Sequence, residues 1–150
     1  MTLALSDSTF QPAYLARLND QQRLAVEHGG GQIAGPLLVI AGAGSGKTAV
    51  MAGRIALMLA EGIAPRTIAA VTFTELAASE LLIRVRDFVG ELVASRIPAE
   101  LRVALPHGLS EDQRRNLTAA SVAIDEITCS TIHGFCQRLI KPYPVEADID

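Results

Sequence analysis

Eight consecutive residues, Ala41-Gly42-Ala43-Gly44-Ser45-Gly46-Lys47-Thr48, have the types and spacing that grip a phosphate. Gly42, Gly44 and Gly46 permit positive φ, so the main chain can wrap an anion with its N–H groups turned inward. The positive end of a following helix adds to that field. Lys47 would reach the β- and γ-phosphates of a nucleoside triphosphate, and the Thr48 hydroxyl would bind Mg2+. The general pattern has Gly where Ala41 stands. The context makes up for that departure: the apolar run Leu37-Leu38-Val39-Ile40 reads as a buried strand just before the turn, and a helical segment follows it.

Such a loop works only if a sheet and its helices hold it. A first helix is expected over Asp20 to His28, capped by Asn19, with Leu24 and Ala25 inward and Gly29-Gly30-Gly31 ending it. Leu37 to Ile40 is the first expected strand. A helix over Lys47 to Glu61 carries Met51, Ile55, Met58 and Leu59 at helical spacing, and Gly62 and Pro65 stop it. A second strand is expected at Ile68 to Phe73. Thr74 then caps a long helix to about Ala94, striped by Leu81, Val85, Phe88, Val89 and Leu92. Pro98, Pro106 and Gly108 mark a break. Ser110-Glu111-Asp112-Gln113 reads as a capping box opening another helix. A short strand at Ile127 to Ser130 and a helix from Thr131 to Ile140 close the series, the latter with Ile132, Phe135, Cys136, Leu139 and Ile140 on one face. Alternating strands and helices imply parallel strands with helical crossovers. Residues 1–17 read as a loosely held arm.

A chain of 150 residues suits one domain, and 49% apolar residues is a globular composition. The net charge of −3 argues against holding nucleic acid through a bulk positive field, though not against a local phosphate-contacting surface. Lysine occurs only at positions 47 and 141, so one of the two ammonium groups sits in the phosphate loop. Cys129 and Cys136 are too few and too far apart for a zinc site with the other residues present; a disulfide between them is one reading, and a reduced, buried role is the expected one. The first ten residues lack the pattern of a secretory signal, and no stretch is long and apolar enough to span a membrane. The cytoplasm is the expected location.

Three further segments narrow the task. The Gln22 amide, in Leu18-Asn19-Asp20-Gln21-Gln22, can offer a donor and an acceptor to the edge of adenine. Val71-Thr72-Phe73-Thr74-Glu75-Leu76-Ala77-Ala78 lies at the C-terminal end of a strand, where parallel sheets bind ligands. There Phe73 could stack on a base, and Thr72 or Thr74 could bond a phosphate. Thr131-Ile132-His133-Gly134-Phe135-Cys136 is a second strand-to-helix junction, where His133 and the helix-start amides could contact a phosphate backbone. Each segment also has a plainer reading: a polar helix start at Gln22, a core aromatic at Phe73, and a half-buried histidine at His133.

Taken together and in order, these motifs resemble the N-terminal ATPase domain of UvrD/Rep-type helicases of superfamily one, from about Leu18 to Asp150. The resemblance implies a RecA-like phosphate-loop fold of the α/β class, a parallel sheet flanked by helices, with a helical insertion at about 97–126. It implies adenine near Gln22 and triphosphate on Ala41 to Thr48, that is Ala41, Gly42, Ala43, Gly44, Ser45, Gly46, Lys47 and Thr48. It further implies Mg2+ on Thr48, with ATP as the nucleotide. Single-stranded DNA would cross Thr72, Phe73, Thr74, Thr131, His133 and Phe135. The wording Thr-Ile-His-Gly-Phe-Cys-Gln-Arg and the later Pro144-Val145-Glu146-Ala147 lean towards the RecB and AddA branch, which implies other subunits of a helicase–nuclease complex as partners. The phosphate loop with Ala at position 41 is the family's own form.

Two departures stand out. Leu76 occupies a position that often carries Lys, removing a cation from the second motif. The acidic pair that holds Mg2+ and orients water for hydrolysis has only one candidate, Asp125-Glu126. That pair follows the helix opened at Ser110 and precedes the third motif, whereas the family places its acidic strand after it. The expectation is therefore an N-terminal portion of a longer ATP-dependent helicase, with the acidic strand beyond Asp150. Two alternatives belong to other classes: a kinase-like phosphate-loop enzyme with Arg96 to Arg115 as its lid, and a non-catalytic nucleotide-binding module.

Overall fold

A computed structural model of the chain describes residues 20–28, 35–42, 46–102 and 104–142. Among these, five α-helices and two strands follow in the order α1 (Asp20–Glu27), α2 (Lys47–Ala60), β1 (Ala69–Thr72), α3 (Glu75–Val93), α4 (Glu111–Ser121), β2 (Thr128–Thr131) and α5 (Ile132–Ile140).

Helix α2 is the hub. Its buried side is built largely from small residues, with Ala49, Ala52, Gly53, Ala56 and Ala60 beside Ile55 and Leu59. Small residues let neighbouring helices approach closely, and α1, α3 and α4 all pack on it. Gly53 marks the tightest approach: a Cβ there would stand 2.9 Å from Leu101 Cδ2 and 3.4 Å from a Val26 methyl. Gly62, at φ 90°, ends the helix. The N–H of Ile63 then bonds back to the Met58 carbonyl at 3.0 Å and that of Gly62 to Leu59 at 3.0 Å, which uses the last orphan carbonyls.

The stripe expected on α3 is the one that is buried: Leu81, Val85, Phe88, Val89 and Leu92. Each such side chain contributes roughly 1.5–3 kcal/mol by leaving water. The capping box at Ser110 is formed in both directions. The Ser110 hydroxyl accepts from the Gln113 N–H at 3.2 Å, and the Gln113 side chain accepts from the Ser110 N–H at 2.9 Å. Helix α4 is fastened to the end of α2, where Asn116 donates to the Ala60 carbonyl and Gln113 to the Glu61 carboxylate, both at 2.8 Å.

Strands β1 and β2 pair in parallel, with Ala69 opposite Thr128 and Thr72 opposite Thr131. The crossover between them contains α3 and α4, as the alternation of elements implied.

Three expectations are corrected. Leu37 to Ile40 is not a strand, and its residues are exposed, with Leu38 at 84% and Ile40 at 92%. An apolar run becomes a buried strand only where neighbouring strands satisfy its backbone and cover its faces. Among the described residues, β1 and β2 pair only with each other, so this run has no ladder to join. Leu24 is exposed, and Ala25 and Val26 are buried in its place. In a helix of eight residues only a narrow stripe can face α2, and the stripe used is 22, 25 and 26, which turns Gln22 inward. Met51 likewise stands on the exposed side of α2. The expected Asn19 cap and the Gly29-Gly30-Gly31 stop lie outside the described residues.

Candidate phosphate-loop and strand-end site

The phosphate-loop candidate is where the chain enters α2. Gly46 is the N-cap of that helix and sits in the left-handed region at φ 80°, with no side-chain cap. The first amides of α2 are therefore left for a partner other than a cap side chain, and a residue with a Cβ would be strained there. Lys47, the first residue of the helix, turns its ammonium back over the entering segment. It donates to the Ala41 carbonyl at 3.2 Å and to the Gly42 carbonyl at 2.5 Å. Thr48 is exposed one position further along. Ala43, Gly44 and Ser45 lie outside the described residues.

A cavity of about 630 Å³ opens between this corner and α1. Gln22 from α1, Ala41 and Gly42 from the loop, and Lys47 and Arg54 from α2 all line it. Its size lies within the range of cofactor and ligand pockets. Leu37, Val39 and Ile40 give it an apolar side, so their exposure is in part exposure to this space. The fold thus brings the adenine candidate and the triphosphate candidates to one enclosure, although 19 residues of chain separate α1 from α2.

The second group of candidates gathers because β1 and β2 are in register. Thr72 and Thr131 are cross-strand partners, so the helices that follow each strand start side by side. Thr74 caps α3 by accepting from the Ala77 N–H at 3.1 Å, and Thr131 caps α5 by accepting from the Gly134 N–H at 3.1 Å. The Thr72 hydroxyl donates to the Thr74 carbonyl at 2.9 Å, holding the turn between strand and helix. Phe73 is 90% exposed at the tip of that turn, which excludes the core-aromatic reading. His133 is exposed rather than half-buried, with Nε2 3.0 Å from Gln137 Nε2 one helical turn on. Phe135 is half-buried.

One carboxylate intrudes on this edge. Glu75 accepts from the Thr131 hydroxyl at 3.2 Å, a bond across the two helix starts. Leu76 beside it is exposed. The motif pattern reveals the missing cation at position 76 but not the carboxylate at 75, whose position opposite Thr131 follows only from strand register.

Asp125 and Glu126 occupy a 3-10 turn between α4 and β2, and Asp125 is engaged by Arg86. In the stretch Arg96 to Arg115, Arg114 is engaged by Ser95 and Arg115 by Asp112. Among the described residues no group of three or more His, Cys, Asp or Glu side chains could hold a metal ion, and no helix is long and apolar enough to cross a membrane.

Arg54 is the side chain of this site that the sequence motifs do not mark. It lies two turns after Lys47 on the same face of α2, and that helical spacing is the one signal that points to it.

Helices packed on a parallel strand pair, with loops gathered at the strand ends, define an α/β protein. Within that class the chain belongs to the UvrD/REP helicase N-terminal domain family, whose description matches residues 18–150. It is 56% identical over 75 residues to the ATP-dependent DNA helicase UvrD1 of Mycobacterium tuberculosis, covering 49% of this chain and 9% of that protein. It is 46% identical over 80 residues to the ATP-dependent DNA helicase PcrA of Staphylococcus epidermidis, covering 53% and 10%. Over 129 residues it is 33% identical to an ATP-dependent helicase/nuclease subunit of Ligilactobacillus salivarius, covering 86% and 9%. The chain thus spans about a tenth of the length of these relatives.

Proposed function

We propose that this chain is the N-terminal, ATP-holding portion of a DNA helicase, a DNA-stimulated ATPase that moves on single-stranded DNA in the cytoplasm. The observation that carries the reading is the shared cavity: Gln22, Ala41, Gly42 and Lys47 line one space at the start of α2. Gln22 reads the adenine edge. The main chain from Ala41 to Gly46 and the Lys47 ammonium hold the triphosphate. In this arrangement Lys47 exchanges the Ala41 and Gly42 carbonyls, its partners in the structure, for phosphate oxygens. Thr48, exposed at the second position of the helix, holds Mg2+, which when bound neutralises part of the phosphate charge. The positive end of α2 favours the same charge.

Residues Thr72, Phe73, Thr74, Thr131, His133 and Phe135 form the single-stranded DNA edge. In support, both helix starts face one end of the strand pair, and Phe73 presents an unburied ring on which a base can stack. With a net charge of −3, contact by local dipoles and stacking suits this chain better than a bulk positive field. The strand pair belongs to a RecA-like sheet, with about 97–126 as its helical insertion. Similarity to a protein named as part of a helicase/nuclease supports further subunits as partners.

Lys47→Ala in the full-length protein tests the reading. DNA-stimulated ATP turnover should fall by about a hundredfold or more, as expected for removing a charge aimed at the reacting phosphates. Turnover that survives the change would end the assignment of Lys47.

A further inference from the structure

Helix α1 carries Gln22 but is poorly equipped to place it. It has eight residues, and helices that short are marginal on their own. Its position relative to the phosphate loop must be imposed from α2. Two contacts do this. Gly53 lets Val26 and Leu101 pack together over the α2 backbone, since a Cβ there would collide with Leu101 at 2.9 Å and stand 3.4 Å from Val26. Beside it, the Arg54 guanidinium donates to the Ala25 carbonyl at 3.2 Å and to the His28 carbonyl at 2.6 Å. Those carbonyls are the orphan acceptors at the C-terminal end of α1, where a fixed cation also meets the negative end of the helix dipole. The His28 ring reaches onward, with Nε2 3.0 Å from the Gly35 carbonyl, and Gly35 is another wall of the cavity.

We propose that Arg54 is a positioning residue for nucleobase recognition: its guanidinium, bonding two carbonyls through Nη1, fixes the end of α1 to α2 and so sets the separation between Gln22 and Lys47. This rests on the nucleotide reading above and adds to it a division of labour along one helix. Lys47 and Arg54 lie two turns apart on a single face of α2, with Val50 and Met51 between them, and all four line the same cavity. The near end of this rigid segment holds phosphate, and the far end holds the helix that reads the base. Lysine cannot substitute fully, because its stem is one atom shorter and its ammonium lacks the fixed plane that aims Nη1 at both carbonyls.

The test is equilibrium binding of ATP, GTP and inorganic tripolyphosphate, each with Mg2+, to the full-length protein and to its Arg54→Ala, Arg54→Lys, Gln22→Ala and doubly substituted Gln22→Ala/Arg54→Ala forms. Arg54→Ala should weaken ATP about tenfold and cut the preference for ATP over GTP by a similar factor, as expected for losing about one well-placed hydrogen bond. Tripolyphosphate has no base and should bind within about twofold of wild type. Arg54→Lys, which keeps the charge and the fold, should lie between. In the Gln22→Ala background, Arg54→Ala should add less than about twofold, because both changes act through one contact.

Equal losses for ATP and tripolyphosphate would overturn the proposal, since Arg54 would then support the phosphate loop or the whole domain. An unchanged ATP-to-GTP preference in both Arg54 variants, or full additivity in the double variant, would overturn it as well. Wild-type protein that binds none of the three ligands would instead overturn the nucleotide reading itself, a result separable from any of these.

Discussion

The α2–α3–α4 layer and the strand-end face treat apolar residues in opposite ways. In the layer, Leu59, Leu81, Leu92 and Leu117 are almost wholly buried, and helix ends are closed by the Ser110 box, the Asn116 bond and the Gly62 turn. Outside it, Leu38 and Ile40 in the run before the phosphate loop and Phe73 and Leu76 at the strand ends are exposed, and α5 buries no residue at all. The first region satisfies itself from its own sequence. The second keeps its aromatic and aliphatic surface exposed, which costs stability and is what a ligand-binding edge requires. Stability and binding should therefore separate cleanly between the two regions.

The largest effect that can break this division comes from a pair of leucines. Leu81→Ala empties a fully buried position in α3 and should cost about 2–5 kcal/mol in chemical denaturation. Leu38→Ser, in the exposed run before the phosphate loop, should change stability by less than about 0.5 kcal/mol. If Leu38→Ser proves as costly as Leu81→Ala, the run is part of a core and the contrast collapses.

A smaller effect sharpens the same contrast within the face. Phe73→Ala should leave the denaturation midpoint nearly unchanged because the ring is 90% exposed. The same variant should lose about 1–3 kcal/mol of single-stranded DNA affinity in the full-length protein, the usual worth of one stacked base. Fluorescence anisotropy with a labelled oligonucleotide reads it directly. Unchanged affinity would leave Phe73 with neither a packing role nor a stacking one.

How far this organisation is legible in the sequence depends on whether the deciding interactions are local. The Ser110 capping box, the Thr74 and Thr131 caps and the α3 stripe each involve residues within one or two turns, and each forms where its spacing indicates. Strand ends and helix ends fall within about two residues of expectation, as end fraying dictates. Leu37 to Ile40 misleads because periodicity registers apolarity and cannot register whether a neighbouring strand is there to pair with. Leu24 misleads because a two-turn helix buries a stripe whose phase is set by the partner, here α2. Arg54 and Glu75 escape a reading of the sequence for one reason: their partners, the Ala25 and His28 carbonyls and the Thr131 hydroxyl, lie 26 to 56 residues away. The joining of Gln22 to the phosphate loop is likewise only motif-deep in the sequence and becomes a shared enclosure through the fold.

The finest distinction lies where the two regions meet. Cys129 stands on β2 against α3, half-buried, with its thiol donating to the Ala78 carbonyl at 3.0 Å. Burial pushes this thiol above its ordinary value of 9.0, against a smaller opposing pull from the main chain of Leu82. Below that value the folded and unfolded chains both hold the proton, so pH has no leverage through this group. Above it the unfolded chain ionises first, while the folded chain must keep a proton or bury a thiolate. Stability is therefore lost as pH rises past 9.0, and the loss stops once the folded thiol has also ionised. Cys129→Ser keeps a donor for Ala78 and removes the titration, so its denaturation midpoint should decline less steeply than wild type on the alkaline side. Identical alkaline slopes would mean that the β2–α3 seam is open to water, and that the boundary between the self-sufficient layer and the binding face lies deeper than Cys129.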